Sequence, residues 1–110
     1  MQYRKELDKI EGIFKTSFNI SIIAEIEFLG WRGHTEKGFE EAKEFIGFAN
    51  VIILTDEIAD LAVSIGRKAK VKLPDAVIAA TALHGNLMLI TRNENDFKDI
   101  EELRIYNPFR

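Results

Sequence analysis

Leu73-Pro74-Asp75-Ala76-Val77-Ile78-Ala79-Ala80-Thr81-Ala82-Leu83-His84 runs through Gly85-Asn86 into Leu87-Met88-Leu89-Ile90. The two halves of this stretch read as different structures. Pro74 suits the first turn of a helix, and Asp75 stands where the helix dipole favours an acid. Residues 75–84 carry small or apolar side chains on almost every face, the mark of a buried helix. Gly85-Asn86 ends it. Residues 87–90 then form the continuous apolar run expected of a strand covered on both faces. A buried helix feeding a buried strand predicts a parallel α/β fold.

The same alternation runs along the rest of the chain. Tyr3, Leu7, Ile10 and Phe14 recur at helical spacing with charges between them, so residues 2–15 read as an amphipathic helix. Residues 18–21 are a short β-leaning run, and Ser21 is placed to cap a helix over 22–29 that Gly30 stops. A further helix is expected from Thr35 to Phe48, with Phe39, Ala42, Phe45 and Ile46 turned inward and the Phe39, Phe45 and Phe48 rings in the core. Val51-Ile52-Ile53-Leu54 reads as a strand covered on both faces. Thr55 caps a helix over 56–68, whose Ile58, Leu61, Ala62 and Ile65 fit one buried face. Beyond residue 90, a turn or short helix is expected over 93–100 and an edge strand over 103–106. The expectation is one α/β domain over residues 1–110, with sites at the carboxyl ends of its parallel strands.

Composition narrows the function. The chain is 46% hydrophobic and 30% charged, an ordinary globular balance that argues against disorder. Residues 51–54 and 76–83 are its most apolar runs, far short of the roughly 20 residues that cross a bilayer. Its opening residues hold no signal-peptide core. With no cysteine, disulfides, thiolate catalysis and cysteine zinc sites are excluded. A cytoplasmic domain with no membrane partner is expected. Fifteen basic residues against 18 acidic give a net charge of −3, which speaks against a module that grips nucleic acid by bulk attraction. A metal-dependent enzyme stays open, because its site must gather carboxylates.

Three acids fall near strand ends: Glu27, Asp75 and Asp96. Mg2+ and Mn2+ choose oxygen ligands, and Mg2+ takes only one or two carboxylates directly. Acids converging from distant positions would suit metal-assisted phosphodiester hydrolysis. Each also has an ordinary role: Asp75 as a partner of the helix dipole, Glu27 as part of a solvated face with Glu25, and Asp96 as a turn former. Spacing alone leaves both roles open.

Residues 73–83, followed by Leu89-Ile90-Thr91-Arg92-Asn93-Glu94-Asn95-Asp96-Phe97, closely resemble the PIN-domain family, and within it the VapC-type toxins of toxin–antitoxin pairs. Ile20-Ser21-Ile22-Ile23-Ala24-Glu25-Ile26-Glu27-Phe28-Leu29-Gly30 is similar to the family's second acidic motif, and Asn107-Pro108-Phe109 to a common chain ending. The resemblance covers nearly the whole chain. It implies a three-layer α/β/α sandwich with a mainly parallel sheet, and a toxin that cleaves RNA endonucleolytically. It further implies an Mg2+ or Mn2+ site built from Glu27, Asp75 and Asp96, with Thr91 and Asn93 beside it to hold a water or a phosphate oxygen. A cognate antitoxin and a homodimer are the implied partners.

The family also opens with a buried strand ending in an Asp-Thr-Asn-like motif that supplies a principal acid. This chain reads from the following helix, and Asp8 lies inside that helical pattern. An N-terminally truncated sandwich with exposed apolar sheet edges is therefore expected, and a second reading follows: a nuclease-dead module that keeps only the partner-binding surface. A phosphoacceptor domain, the third reading, lacks a clear acid–lysine pair.

Arg67, Lys68, Lys70 and Lys72 form the one dense basic cluster. Together with Arg92 they are candidates for RNA phosphates, or, for the first of them, for a helix C-terminal dipole. His34 and His84 lack metal-ligand spacing, with His84 placed as a helix cap, and Trp31 reads as a packing residue or, second, as a partner contact.

Overall fold

A computed structural model describes residues 19–108. The helix expected over 2–15 lies outside them, as do Phe18 and Phe109. Three of the helices begin where a hydroxyl holds an otherwise unpaired N–H. Strand β1 (Asn19–Ser21) passes directly into α1 (Ile22–Leu29), with Ser21 Oγ accepting from the Ala24 N–H at 3.0 Å. Thr35 caps α2 (Glu36–Ile46) by accepting from Gly38 N–H at 2.9 Å. Thr55 caps α3 (Asp56–Lys68) by accepting from Ile58 N–H at 3.2 Å. Helix α4 (Leu73–His84) starts differently. Lys72 makes no side-chain cap, and Pro74 and Asp75 occupy the first turn.

Gly30 does end α1, but its φ is −82°. Space explains it: a Cβ there would lie 2.8 Å from the Ile26 carbonyl oxygen. After α4 the left-handed conformation falls on Asn86, at φ 53°, a residue that tolerates it.

The core lies between α3 and α4. Ile58, Ala62 and Ile65 meet Ala76, Val77, Ala79 and Ala80, and Phe97 and Ile100 close the cluster. The alanines bring the helices close. Thr81, buried among them, donates its hydroxyl to the Val77 carbonyl at 2.8 Å, so no polar atom is stranded.

All the described strands run parallel to their partners. Strand β1 pairs with β2 (Asn50–Ile52), and Asn50 Nδ2 donates to Asn19 Oδ1 across the pair at 2.9 Å. Strand β3 (Leu89–Ile90) pairs with β4 (Ile105–Tyr106). Among the described residues these are two separate pairs rather than one sheet.

Three expectations need correction. The strand expected over 51–54 stops at Ile52, leaving Ile53 and Leu54 exposed, because its partner β1 ends at Ser21 where α1 begins. The run 87–90 is strand only at its end, and Met88 is exposed. Phe39, Phe45 and Phe48 are not core. Of the α2 side chains only Ala42 and Ile46 are buried, and Phe48 is 78% exposed. Among the described residues helix α2 packs mainly on α1, and Phe39, Phe45 and Phe48 on its apolar stripe and just past it stay exposed.

Candidate functional site

Asp75 sits in the first turn of α4, half-buried. Burial pushes its carboxyl pKa up, the nearby Asp96 charge adds to that rise, and the Lys72 ammonium partly opposes it. Two acids distant in sequence therefore share one electrostatic environment. Asp96 reaches it from a 3-10 turn, Glu94–Asp96, that follows β3. The turn is built locally: Thr91 Oγ1 accepts from the Asn93 N–H at 3.0 Å, and Asp96 N–H donates to the Asn93 carbonyl at 3.1 Å. Buried Phe97, immediately after it, anchors the turn to the core. A cleft of about 310 Å³ opens here, lined by Arg92, Asn93, Glu94, Asn95 and Asp96.

Asp96 is near enough to Asp75 for its charge to act on that carboxyl. Glu27 lies exposed on α1 and is not among the charges that move Asp75. Among the described residues no three His, Cys, Asp or Glu side chains gather as a metal-holding group. The Thr91 hydroxyl serves the turn, while the Asn93 side chain makes no cap bond. Arg67 and Lys68 close the last turn of α3, complementing its dipole. Lys70 and Lys72 are exposed on the way into α4, and the Lys72 charge acts on Asp75.

This donor set suits a hard divalent cation. Two carboxylates are what Mg2+ commonly takes from protein. Their mutual repulsion at a partly desolvated position is relieved by a bound positive charge.

Two features escape the sequence reading. Asn107 Nδ2 donates to Glu94 Oε2 at 3.2 Å and approaches the Arg92 carbonyl at 3.5 Å. Its signal in the sequence is the Asn107-Pro108-Phe109 ending, which does not show what the amide holds. The second is an aromatic surface over α1 and α2. His34 Nε2 donates to the Phe28 carbonyl at 2.8 Å, with Phe28, Trp31 and Phe39 packed edge-on around its ring. Phe45 packs against Phe28. Trp31 does pack, over Gly33, yet it stays 64% exposed.

Among the described residues no helix is long and apolar enough to cross a membrane. The PIN domain family profile matches residues 2–103. No curated protein gives a significant match. Among solved structures, a toxin–antitoxin complex from Klebsiella pneumoniae is 32% identical over 80% of this chain and 71% of that one, with a TM-score of 0.67. VapBC-1 from nontypeable Haemophilus influenzae is 22% identical over 86% of this chain and 76% of its own, with a TM-score of 0.74. VapBC2 from Rickettsia felis, bound to a DNA fragment from its promoter, is 19% identical over 92% and 83%, with a TM-score of 0.76. The last two likenesses speak to the fold alone.

Proposed function

The chain belongs to the PIN domain family, and from that membership we propose that it is a metal-dependent RNA endonuclease, the VapC-type toxin of a type II toxin–antitoxin pair. The observation that carries the reading is that burial pushes the Asp75 carboxyl pKa up and the Asp96 charge adds to the rise. A half-buried acid held beside a second acid disfavours its own charge unless a cation neutralises the pair. In this reading a single PIN-like domain, a three-layer α/β/α sandwich, works in the cytoplasm as a homodimer.

Asp75 and Asp96 would hold Mg2+ or Mn2+, and Glu27, exposed on α1, would join them. When bound, such an ion polarises a phosphoryl oxygen and lowers the pKa of water. The protein's own residues do the rest. Lys72 stands next to Asp75, and with Arg67, Lys68, Lys70 and Arg92 it would draw the RNA backbone to the cleft. The Thr91 hydroxyl and Asn93 amide at the cleft rim would orient a water or a phosphate oxygen. The test is cleavage of single-stranded RNA with Mg2+ or Mn2+, its loss on chelation, and its loss in Asp75→Asn. Cleavage that survives chelation would end the reading.

One observation favours a second reading, a nuclease-dead module that binds a partner. The exposed rings of Phe28, Trp31, Phe39 and Phe45 form the kind of apolar surface that protein partners cover, whereas among the described residues no three acids gather as a metal-holding group. Relatives solved as toxin–antitoxin complexes support an antitoxin as that partner. Antitoxin binding without any metal-dependent RNA cleavage would favour this module over the nuclease.

A further inference from the structure

The segment that carries Asp96 leaves the fold at β3 and returns to it at Phe97. Its first residue is fixed by the backbone, with Thr91 N–H donating to the Tyr106 carbonyl at 3.0 Å. Its last is fixed by burial of Phe97 and Ile100. The middle, Arg92 to Glu94, is reached from another element by the Asn107 side chain. The chemistry settles which end of that amide points inward. The Glu94 carboxylate and the Arg92 carbonyl are both acceptors, so the amide must present its NH2 to them. Pro108, immediately after it, is fully buried, which gives the Asn107 backbone a fixed origin.

We propose that Asn107 is a positioning residue: by bridging the end of β4 to residues 92–94, it sets where the turn presents Asp96 to Asp75. It touches no substrate and acts through the turn alone. The role rests on the reading of Asp75 and Asp96 as cation ligands.

The test uses the whole chain and Mn2+ alone as the probe. Mn2+ affinity is read by electron paramagnetic resonance, and exchange of the Asp96 and Phe97 amides by NMR. Asn107→Asp keeps the shape but replaces the donor with an acceptor that repels Glu94. It should weaken Mn2+ binding by about tenfold, the lower end of what losing a ligand-supporting hydrogen bond does. It should also speed exchange at Asp96 and Phe97 while leaving the α4 core amides unchanged. Adding Glu94→Gln restores a donor–acceptor pair of inverted sense at the wild-type net charge, and should recover both readouts. Glu94→Gln alone is the reference. Asn107→Ala carries the same test with no added charge, should Asn107→Asp not fold.

Faster exchange with unchanged Mn2+ affinity would overturn the role, as would a double variant that recovers neither readout. Asp75→Asn, run alongside, separates the two claims. If it loses Mn2+ and Asn107→Asp does not, the positioning role falls and the metal reading stands. If it binds Mn2+ as the wild type does, the metal reading falls and takes the role with it.

Discussion

Asp96 raises the pKa of Asp75 across the gap between the turn after β3 and the first turn of α4, and Lys72 opposes it from the residue that starts the helix. Desolvation is the larger cause of the rise. The position is therefore unfavourable for a lone charge, and fold stability is spent on keeping it there. A bound divalent cation reverses the balance, because it favours the charged form that burial and Asp96 disfavour.

Asp75→Asn follows directly. The folded pKa of Asp75 lies above its usual 3.8, so the native state holds its proton more tightly than the unfolded chain. The stability that this proton supports is full below the unfolded pKa and is lost as pH rises through the folded one. In metal-free buffer at neutral pH, Asp75→Asn should melt higher than the wild type, and the gap should close on acidification. The same variant should lose Mg2+-dependent RNA cleavage by orders of magnitude. A lower melting temperature with full cleavage would mean that Asp75 serves only the helix dipole, worth at most about 1 kcal/mol at such a site.

Added Mn2+ should raise the melting temperature of the wild type, and raise it more at neutral pH than in acid, where Asp75 is already protonated. Asp75→Asn and Asp96→Asn should each shrink the shift. Scanning fluorimetry across a pH series reads the effect, and a shift independent of both acids would place the ion elsewhere.

The basic cluster at and after the end of α3 should show itself in salt dependence. Lys68→Gln and Lys70→Gln each remove an exposed cation. If both meet phosphates, the slope of log affinity against log salt for single-stranded RNA should flatten by about 0.7 per residue. Fluorescence anisotropy over a salt series measures it. An unchanged slope would leave Lys68 as a partner of the α3 dipole and nothing more.

Ile58 is 1% exposed between α3 and α4, and Leu54 is 45% exposed just past β2. Ile58→Ala should destabilise the chain by about 2–5 kcal/mol. Leu54→Ala should stay within about 0.5 kcal/mol, as at an open surface position. Urea unfolding of both variants checks the pair, and a large loss at Leu54 would mean that the end of β2 is covered in solution.

Trp31→Asp should leave urea stability close to wild type, because the ring is mostly exposed, and should weaken antitoxin binding by about 2 kcal/mol if Trp31 anchors the interface. Calorimetric titration with the antitoxin reads it. Undiminished affinity would move the partner off the α1–α2 surface.

What could be read from sequence was local. Ser21, Thr35 and Thr55 each accept from an N–H three residues on, so a single short window holds the whole interaction and marks where a helix begins. The face of α3 bearing Ile58, Ala62 and Ile65 was equally legible, since helical spacing puts those side chains in line. Tertiary structure decided what depends on distant partners. Ile53 and Leu54 look like strand but, among the described residues, have no paired strand beside them. Phe39 and Phe45 have core spacing but sit on a helix covered on one side only. Asp75 and Asp96 each have an ordinary local role, and only the packing of α4 against the segment anchored by Phe97 and Ile100 lets the charge of one act on the other. Asn107 reaches Glu94 for the same reason: backbone pairing of β4 with β3 puts the two side by side. Caps and helical faces are fixed within a few residues of chain, whereas burial and charge proximity belong to the packed molecule.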